Sequence, residues 1–130
     1  MSGSSILGNS RKPDIVVRND GTIEIMANVS SELGIEHGDI IDIWKSGCEY
    51  YLYVKLKASD AVGLHVARCR KTGRKSRHMR VSCRRLADYI LSAVGARGEA
   101  FLTAGPAVQI EVGMAKPIIT RMNLKSACHD

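Results

Sequence analysis

The sequence contains few aromatic residues, with one tryptophan, one phenylalanine and four tyrosines among 130 residues. Proteins that bind single-stranded nucleic acid commonly stack successive bases on aromatic side chains. So low an aromatic content argues against base stacking as the main means of binding a ligand. Long apolar runs are also missing, because no stretch approaches the roughly 20 residues that a helix needs to cross a membrane. We therefore expect no membrane association.

Cysteine is present, but its pattern implies neither a disulfide framework nor a metal site. The four cysteines are Cys48, Cys69, Cys83 and Cys128. Their spacing is not that of a small disulfide scaffold and no secretory segment precedes them, so we expect reduced thiols in a cytoplasmic protein. His65, Cys69, His78 and Cys83 are residue types that bind zinc, but they form no Cys-x-x-Cys knuckle. We predict no metal and no other cofactor.

The arrangements by which many enzymes are recognised are also absent. No glycine-rich phosphate loop of the usual form is present, and no oriented base stands beside a nucleophile. Four carboxylates lie close together in the sequence, and alternating turns and strands explain them as solvated edges and caps. They are Glu32, Glu36, Asp39 and Asp42. We predict a protein that is not an enzyme and has no evident small-molecule substrate.

Acidic residues are missing from one long stretch, between Ala61 and Ala87. The same stretch holds nine basic residues, whereas acids and bases nearly balance outside it. The nine are Arg68, Arg70, Lys71, Arg74, Lys75, Arg77, Arg80, Arg84 and Arg85. Arginine presents a planar fork that suits phosphate, so this uniform charge predicts contacts with nucleic-acid phosphates. A solvated charged loop is the alternative interpretation.

The first half of the chain has a readable order of elements. Alternating apolar residues predict a strand at Thr22–Ile25, and a short apolar face then predicts a helix that ends at Gly34. The dipeptide Gly38-Asp39 predicts a turn into a hairpin, whose strands lie around residues 41–43 and 51–54. The order is therefore strand, short helix and hairpin.

This order and these letters resemble the AbrB/MazE-like swapped-hairpin family of DNA-binding proteins. The matching residues are Gly21, Ile25, Val29, Leu33, Gly34, Ile35, Gly38, Asp39, Ile41 and Ile43. The resemblance implies a barrel-like sheet made from two copies of a strand, a hinge helix and a Gly-Asp turn. The chain departs from the family at Met26, where proline is usual, and at Ser30, Ser31 and Glu32, because the family's DNA-facing helix is often basic.

The basic stretch itself predicts a hairpin, because apolar and polar residues alternate on both sides of a loop centred on Gly73. The register that puts the apolar residues on one face sets Arg68 opposite Arg80 and Arg70 opposite His78. Like charges directly across a ladder are destabilising. Such a face is therefore better explained when an external anion lies over it.

The rest of the second half repeats the plan of the first. Leu86, Ile90 and Val94 form a stripe at helical spacing, which predicts a helix over 83–94 that stops at Gly95. Alternating segments after it predict further strands. Two arginines at the start of this helix, Arg84 and Arg85, oppose the helix dipole, which suggests a role for their charge.

We therefore predict an α+β, mostly β fold made of two similar β-α-β-β halves that form a small barrel-like or swapped-hairpin domain. The predicted boundaries are a flexible arm at 1–13, an AbrB-like half at 14–60, a second half with the basic hairpin at 61–122 and a frayed tail at 123–130.

The predicted function is non-enzymatic DNA binding by a small transcriptional regulator that contacts phosphates through the basic hairpin. A binder of single-stranded DNA or RNA in a larger assembly is the first alternative, and a protein-interaction or oligomerisation module is the second. The resemblance implies a homodimer, although a chain whose two halves already complete one barrel would be monomeric.

Overall fold

A computed structural model describes residues 12–63 and 66–119 of the chain. Within these ranges the chain forms nine strands, two α-helices and a short 3-10 turn at Ala58–Asp60. In chain order the strands and helices are β1 (Ile15–Arg18), β2 (Thr22–Ile25), α1 (Ala27–Leu33), β3 (Ile40–Ser46), β4 (Glu49–Leu56), β5 (Cys69–Lys71), β6 (Met79–Ser82), α2 (Arg84–Val94), β7 (Glu99–Ala104), β8 (Val108–Ile110) and β9 (Gly113–Ile119). The predicted mostly β class is confirmed. The predicted tail, most of the predicted arm, and His65 lie outside the described residues.

All strand pairs are antiparallel, and the sheet follows the order β3-β4-β9-β7-β1-β2-β6-β5, with β8 paired to β9. Backbone hydrogen bonds also join the two ends of this order. Gly38 N donates to Cys69 O at 2.8 Å, Cys69 N donates to Asp39 O at 2.8 Å, and Ile41 N donates to Ala67 O at 3.1 Å. The sheet therefore curls until β3 meets the segment that leads into β5, and polar groups on both end strands find partners.

The core lies inside the curl, where inward side chains of facing strands meet. Ile23 lies opposite Val81 and Ile25 lies opposite Met79 in the β2–β6 pair, and all four side chains are buried. The helix α2 packs against β1, β2 and β7 with the apolar stripe that its spacing predicts. The buried residues of α2 are Leu86, Ala87, Ile90 and Leu91, and Val94, the last residue of the predicted stripe, is partly buried against the core.

Both helices end at a glycine whose positive φ suits a left-handed cap. Gly34 ends α1 with φ 67° and Gly95 ends α2 with φ 74°, and the N–H of each bonds to carbonyls of its own helix. These ends agree with the sequence-based prediction. Neither helix in the described ranges has the length and apolar character that a membrane crossing requires.

The basic hairpin forms, but the predicted register is wrong by two residues. The β5–β6 ladder pairs Cys69 with Val81 and Arg70 with Arg80, whereas the prediction placed Arg70 opposite His78. A shift of two positions keeps every side chain on its face. The buried Cys69 and Val81 and the exposed arginines therefore lie on the sides that the alternation indicates.

The loop of the hairpin explains the shift. Thr72 N donates to His78 O at 3.2 Å, and inside that closure Ser76 N donates to Gly73 O at 3.2 Å. The hydroxyl of Ser76 also accepts the N–H of His78 at 3.0 Å. The turn is therefore centred closer to β6 than Gly73 is, and each residue of β5 pairs further along β6 than predicted.

Candidate nucleic-acid interface

Strands β5 and β6, together with the residues directly before and after β5, form an exposed groove of about 490 Å³, which we call the basic groove. It is lined by Arg68, Arg70, Lys71, Thr72, Arg80 and Ser82. None of these lining residues is acidic, and two of them carry hydroxyl groups. Cationic groups and hydroxyls that share one concave surface are suited to an extended anion.

The most unusual feature of the basic groove is the direct opposition of Arg70 and Arg80 across the β5–β6 ladder. Both side chains are exposed. Arg80 Nη2 lies 3.9 Å from Glu24 Oε1, while no ion pair to Arg70 is formed by the described residues. Like charges at directly opposite positions destabilise a ladder by roughly 0.2 to 1 kcal/mol. An anion bound between the two guanidinium groups would reverse that effect.

One acidic residue beside the groove partly compensates its positive charge, and the sequence analysis did not identify this residue. Glu24 on β2 accepts a hydrogen bond from Arg18 and lies opposite Arg80 in the ladder. His78 Nε2 is 3.0 Å from Glu24 Oε1 but forms no hydrogen bond with the described residues. The Arg18 hydrogen bond is the main cause that lowers the pKa of Glu24, with smaller contributions from neighbouring positive charges.

This lowered pKa makes stability depend on pH in a defined direction. The Glu24 carboxylate contributes its full stabilisation above its ordinary value of 4.5, and the contribution is lost as the pH falls through the lower folded-state pKa. We expect Glu24→Gln to lower the free energy of unfolding by about 1 kcal/mol at pH 7. The difference from the native protein should shrink between about pH 5 and pH 3. Urea unfolding at several pH values measures it.

The exposed carboxylate of Glu111 offers a matched control. Glu111→Gln removes a charge of the same sign far from the groove in sequence. It should change the free energy of unfolding by less than about 0.5 kcal/mol throughout the range from pH 7 to pH 3. Parallel stability curves for Glu24→Gln and the native protein from pH 7 to pH 3 would contradict the assigned role of Glu24.

Two of the predicted phosphate contacts are used inside the fold. Arg68 Nη1 donates to Gly38 O at 2.9 Å, and its Nη2 donates to Ala61 O. Arg77 Nη2 donates to Ile35 O at 3.1 Å, just after α1. Arg68 therefore lines the basic groove and also connects two loops by hydrogen bonds. Arg77 connects the hairpin loop to the first half of the chain.

The remaining predicted contacts divide between the hairpin loop and the start of α2. Arg74 and Lys75 are exposed in the loop beyond the basic groove. Arg84 is exposed and its Nη2 lies 3.4 Å from Asn19 O. Arg85 is also exposed but lines a different cavity. The structure thus gathers Arg70, Lys71 and Arg80 into one surface with Arg68 at its edge, and it does not place Arg85 there.

The described histidines and cysteines do not assemble into a metal centre. Within residues 12–63 and 66–119, no three side chains of His, Cys, Asp or Glu come together as metal ligands would. Cys69 is buried, and desolvation raises the pKa of its thiol to about 12. Cys69 and Cys83 are free thiols, but Cys48 is disulfide-bonded, so the expectation that all four cysteines are reduced is wrong for Cys48.

Comparison with known proteins finds no family model, no curated protein and no solved structure that matches this chain.

Proposed function

We propose that this protein binds nucleic acid without catalysing a reaction, that DNA is the favoured partner, and that it acts as a small transcriptional regulator. The observation that carries the proposal is the paired Arg70 and Arg80 in a groove that no acidic residue of the described ranges lines. Surplus positive charge of this kind is the usual electrostatic footprint of phosphate binding.

The chemistry of the basic groove favours the phosphate backbone over the bases. Arg70 and Arg80 can each offer two parallel N–H groups to a phosphate, and Lys71 adds a third cation. The hydroxyl of Ser82 can donate to a further phosphate oxygen, whereas the hydroxyl of Thr72 already donates to His78 O at 3.3 Å. None of the described residues that line the groove is aromatic, so they offer no platform on which unpaired bases could stack. A groove with groups that bind phosphate but no aromatic residues for stacking supports duplex DNA over single strands as the partner.

The strand pairs support a second part of the proposal, that residues 14–60 and 61–122 are two related halves. β1 pairs with β7, and β3 forms a bridge to the residue before β5. In both cases the first strand of one half lies beside the strand that follows the helix of the other half. β2 pairs with β6, and β4 pairs with β9. If β1 to β4 are exchanged with β5, β6, β7 and β9, the set of pairs is unchanged.

This exchange is what the AbrB/MazE-like resemblance implies, with one chain supplying both copies. Strand β8 is an addition to the second half. Because the described strands already close their sheet within one chain, no hairpin from a second chain is needed to complete it. We therefore propose that the chain binds DNA as a fused pair of halves, and the homodimer of the resemblance is not required.

The test is fluorescence anisotropy with labelled duplex DNA, single-stranded DNA and RNA at several salt concentrations. We expect duplex DNA to bind most tightly, with a steep salt dependence. The double variant Arg70→Ala/Arg80→Ala should bind about tenfold more weakly, and the slope of log Kd against log salt should fall by about 2. Both side chains are exposed, so the variant should stay folded.

The matched control removes two positive charges elsewhere, in Lys45→Ala/Arg97→Ala, whose side chains are exposed and outside the basic groove. Equal weakening in the control and in the groove variant would reduce the effect to net charge and contradict the proposed site. Tighter binding to single strands would favour the single-strand alternative. No binding at low salt would overturn the nucleic-acid proposal and favour a protein-interaction module.

A further inference from the structure

A second concave surface lies beside α2, between this helix and strands β3 and β4. It is a cavity of about 550 Å³, which we call the apolar groove. Its floor contains Ile40, Ile43 and Leu56 from β3 and β4, and Leu86 and Tyr89 of α2 form one wall. This volume falls in the range of roughly 300 to 1,000 Å³ that is usual for small-molecule sites.

The groove exists because α2 covers only part of the sheet. The helix packs mainly against β1, β2 and β7, and residues of β3 and β4 line the space beside it. Apolar side chains at the rim are consequently exposed, with Val66 at 60% and Tyr89 at 42%. The Tyr89 ring packs edge to face against the Tyr50 ring, with a distance of 6.1 Å between the ring centroids, and this contact stabilises its position.

The charges around the groove leave one cation without a counterion. Asp42 and Lys55 both line it and lie 3.7 Å apart, so they compensate each other. Arg85 lines the same groove, and no ion pair to it is formed by the residues described. Among the described residues that line it, the apolar groove therefore combines apolar side chains with one surplus positive charge, that of Arg85.

We propose that the apolar groove binds a free small molecule with an apolar body and one carboxylate, and that Arg85 binds the carboxylate. A guanidinium group holds a planar carboxylate through two parallel hydrogen bonds, so it selects this head group over a cation or an alcohol. The apolar body would cover Ile43, Leu56 and Tyr89, which are otherwise partly open to water. The site is separate from the basic groove and does not depend on nucleic-acid binding.

Cys83 gives a direct reporter for this site, because its free and partly exposed thiol also lines the apolar groove. The experiment follows alkylation of Cys83 by iodoacetamide, using peptide mass spectrometry, with octanoate, octylammonium or octanol present. Isothermal titration with octanoate gives the affinity independently. Cys69 is fully buried and serves as an internal reference, because its alkylation would reveal unfolding.

We expect octanoate to slow alkylation of Cys83 at least threefold, and octylammonium to leave the rate unchanged. Arg85→Gln should weaken octanoate binding about tenfold, whereas Arg85→Lys should retain an intermediate affinity because it keeps the charge. Arg97→Gln, which removes an exposed arginine outside the groove, should bind octanoate like the native protein.

Three results would overturn the proposal, and all variants must first show native circular dichroism. They are a Cys83 rate that octanoate does not change, equal protection by octylammonium, and unaltered octanoate affinity in Arg85→Gln. Arg85 is exposed, so its replacement should leave the fold intact.

Discussion

Replacing Asp39 with alanine is expected to lower the free energy of unfolding by about 3 kcal/mol. The Asp39 side chain is fully buried and accepts three hydrogen bonds. Its donors are Glu36 N at 2.8 Å, Ala58 N at 2.8 Å and Lys57 Nζ at 2.7 Å. The Lys57 ammonium is half exposed, so water screens that ion pair. The larger loss comes from the two backbone N–H groups, which would remain near the core without an acceptor.

Urea unfolding of Asp39→Ala at pH 7 measures this loss. The matched control is Asp42→Ala, because Asp42 lies on β3 close by, is partly exposed and pairs with Lys55 at 3.7 Å. The control should lose less than about 1 kcal/mol. Asp39→Asn keeps the shape and one acceptor oxygen, so it should lie between the two. A loss for Asp39→Ala that matches the control would show that the buried carboxylate does not hold this turn.

Asp39 also shows how far the sequence could be interpreted. The Gly-Asp pair correctly predicts a turn into β3, and Gly38 needs its positive φ of 93° there. A Cβ on Gly38 would lie 2.9 Å from the Cβ of Ala58. The interpretation of the carboxylates as solvated edges and caps is only partly right for Asp39, because this side chain accepts backbone N–H groups as a cap does but is fully buried. Its partners Lys57 and Ala58 follow about 20 positions later, and no local pattern indicates that they return to it.

In the candidate interface too, local patterns predict which face a side chain occupies but not which distant residues it meets. Alternation correctly assigns Cys69 and Val81 to the buried face, and Arg70 and Arg80 to the exposed face, because the side-chain period of a strand is a local property. The register of β5 against β6 depends on hydrogen bonds in the turn, and alternation fixes it only to within two residues. The position of Glu24 opposite Arg80 depends on the pairing of β2 with β6, which lie far apart in the sequence.

Arg68 has two possible roles. Its charge predicts phosphate contact, and its position in the fold gives it a structural role. It forms the bridge to Ile40 where the two ends of the sheet meet, and its guanidinium group donates to the carbonyls of Gly38 and Ala61. We expect Arg68→Ala to lower the free energy of unfolding by about 2 kcal/mol, because hydrogen bonds from a charged donor to both carbonyls are lost.

The variant Arg70→Ala separates this structural role from binding. Arg70 is exposed on the same strand ladder, so its loss should change stability by less than about 0.5 kcal/mol while weakening nucleic-acid binding. In Arg68→Ala, the amides of Cys69 and Ile41 should exchange with deuterium faster than in Arg70→Ala, because these amides join the two ends of the sheet. Hydrogen exchange followed by mass spectrometry measures the difference. Equal stability and equal exchange in both variants would mean that backbone pairing alone closes the sheet, and that Arg68 is available to the phosphates as its charge first suggested.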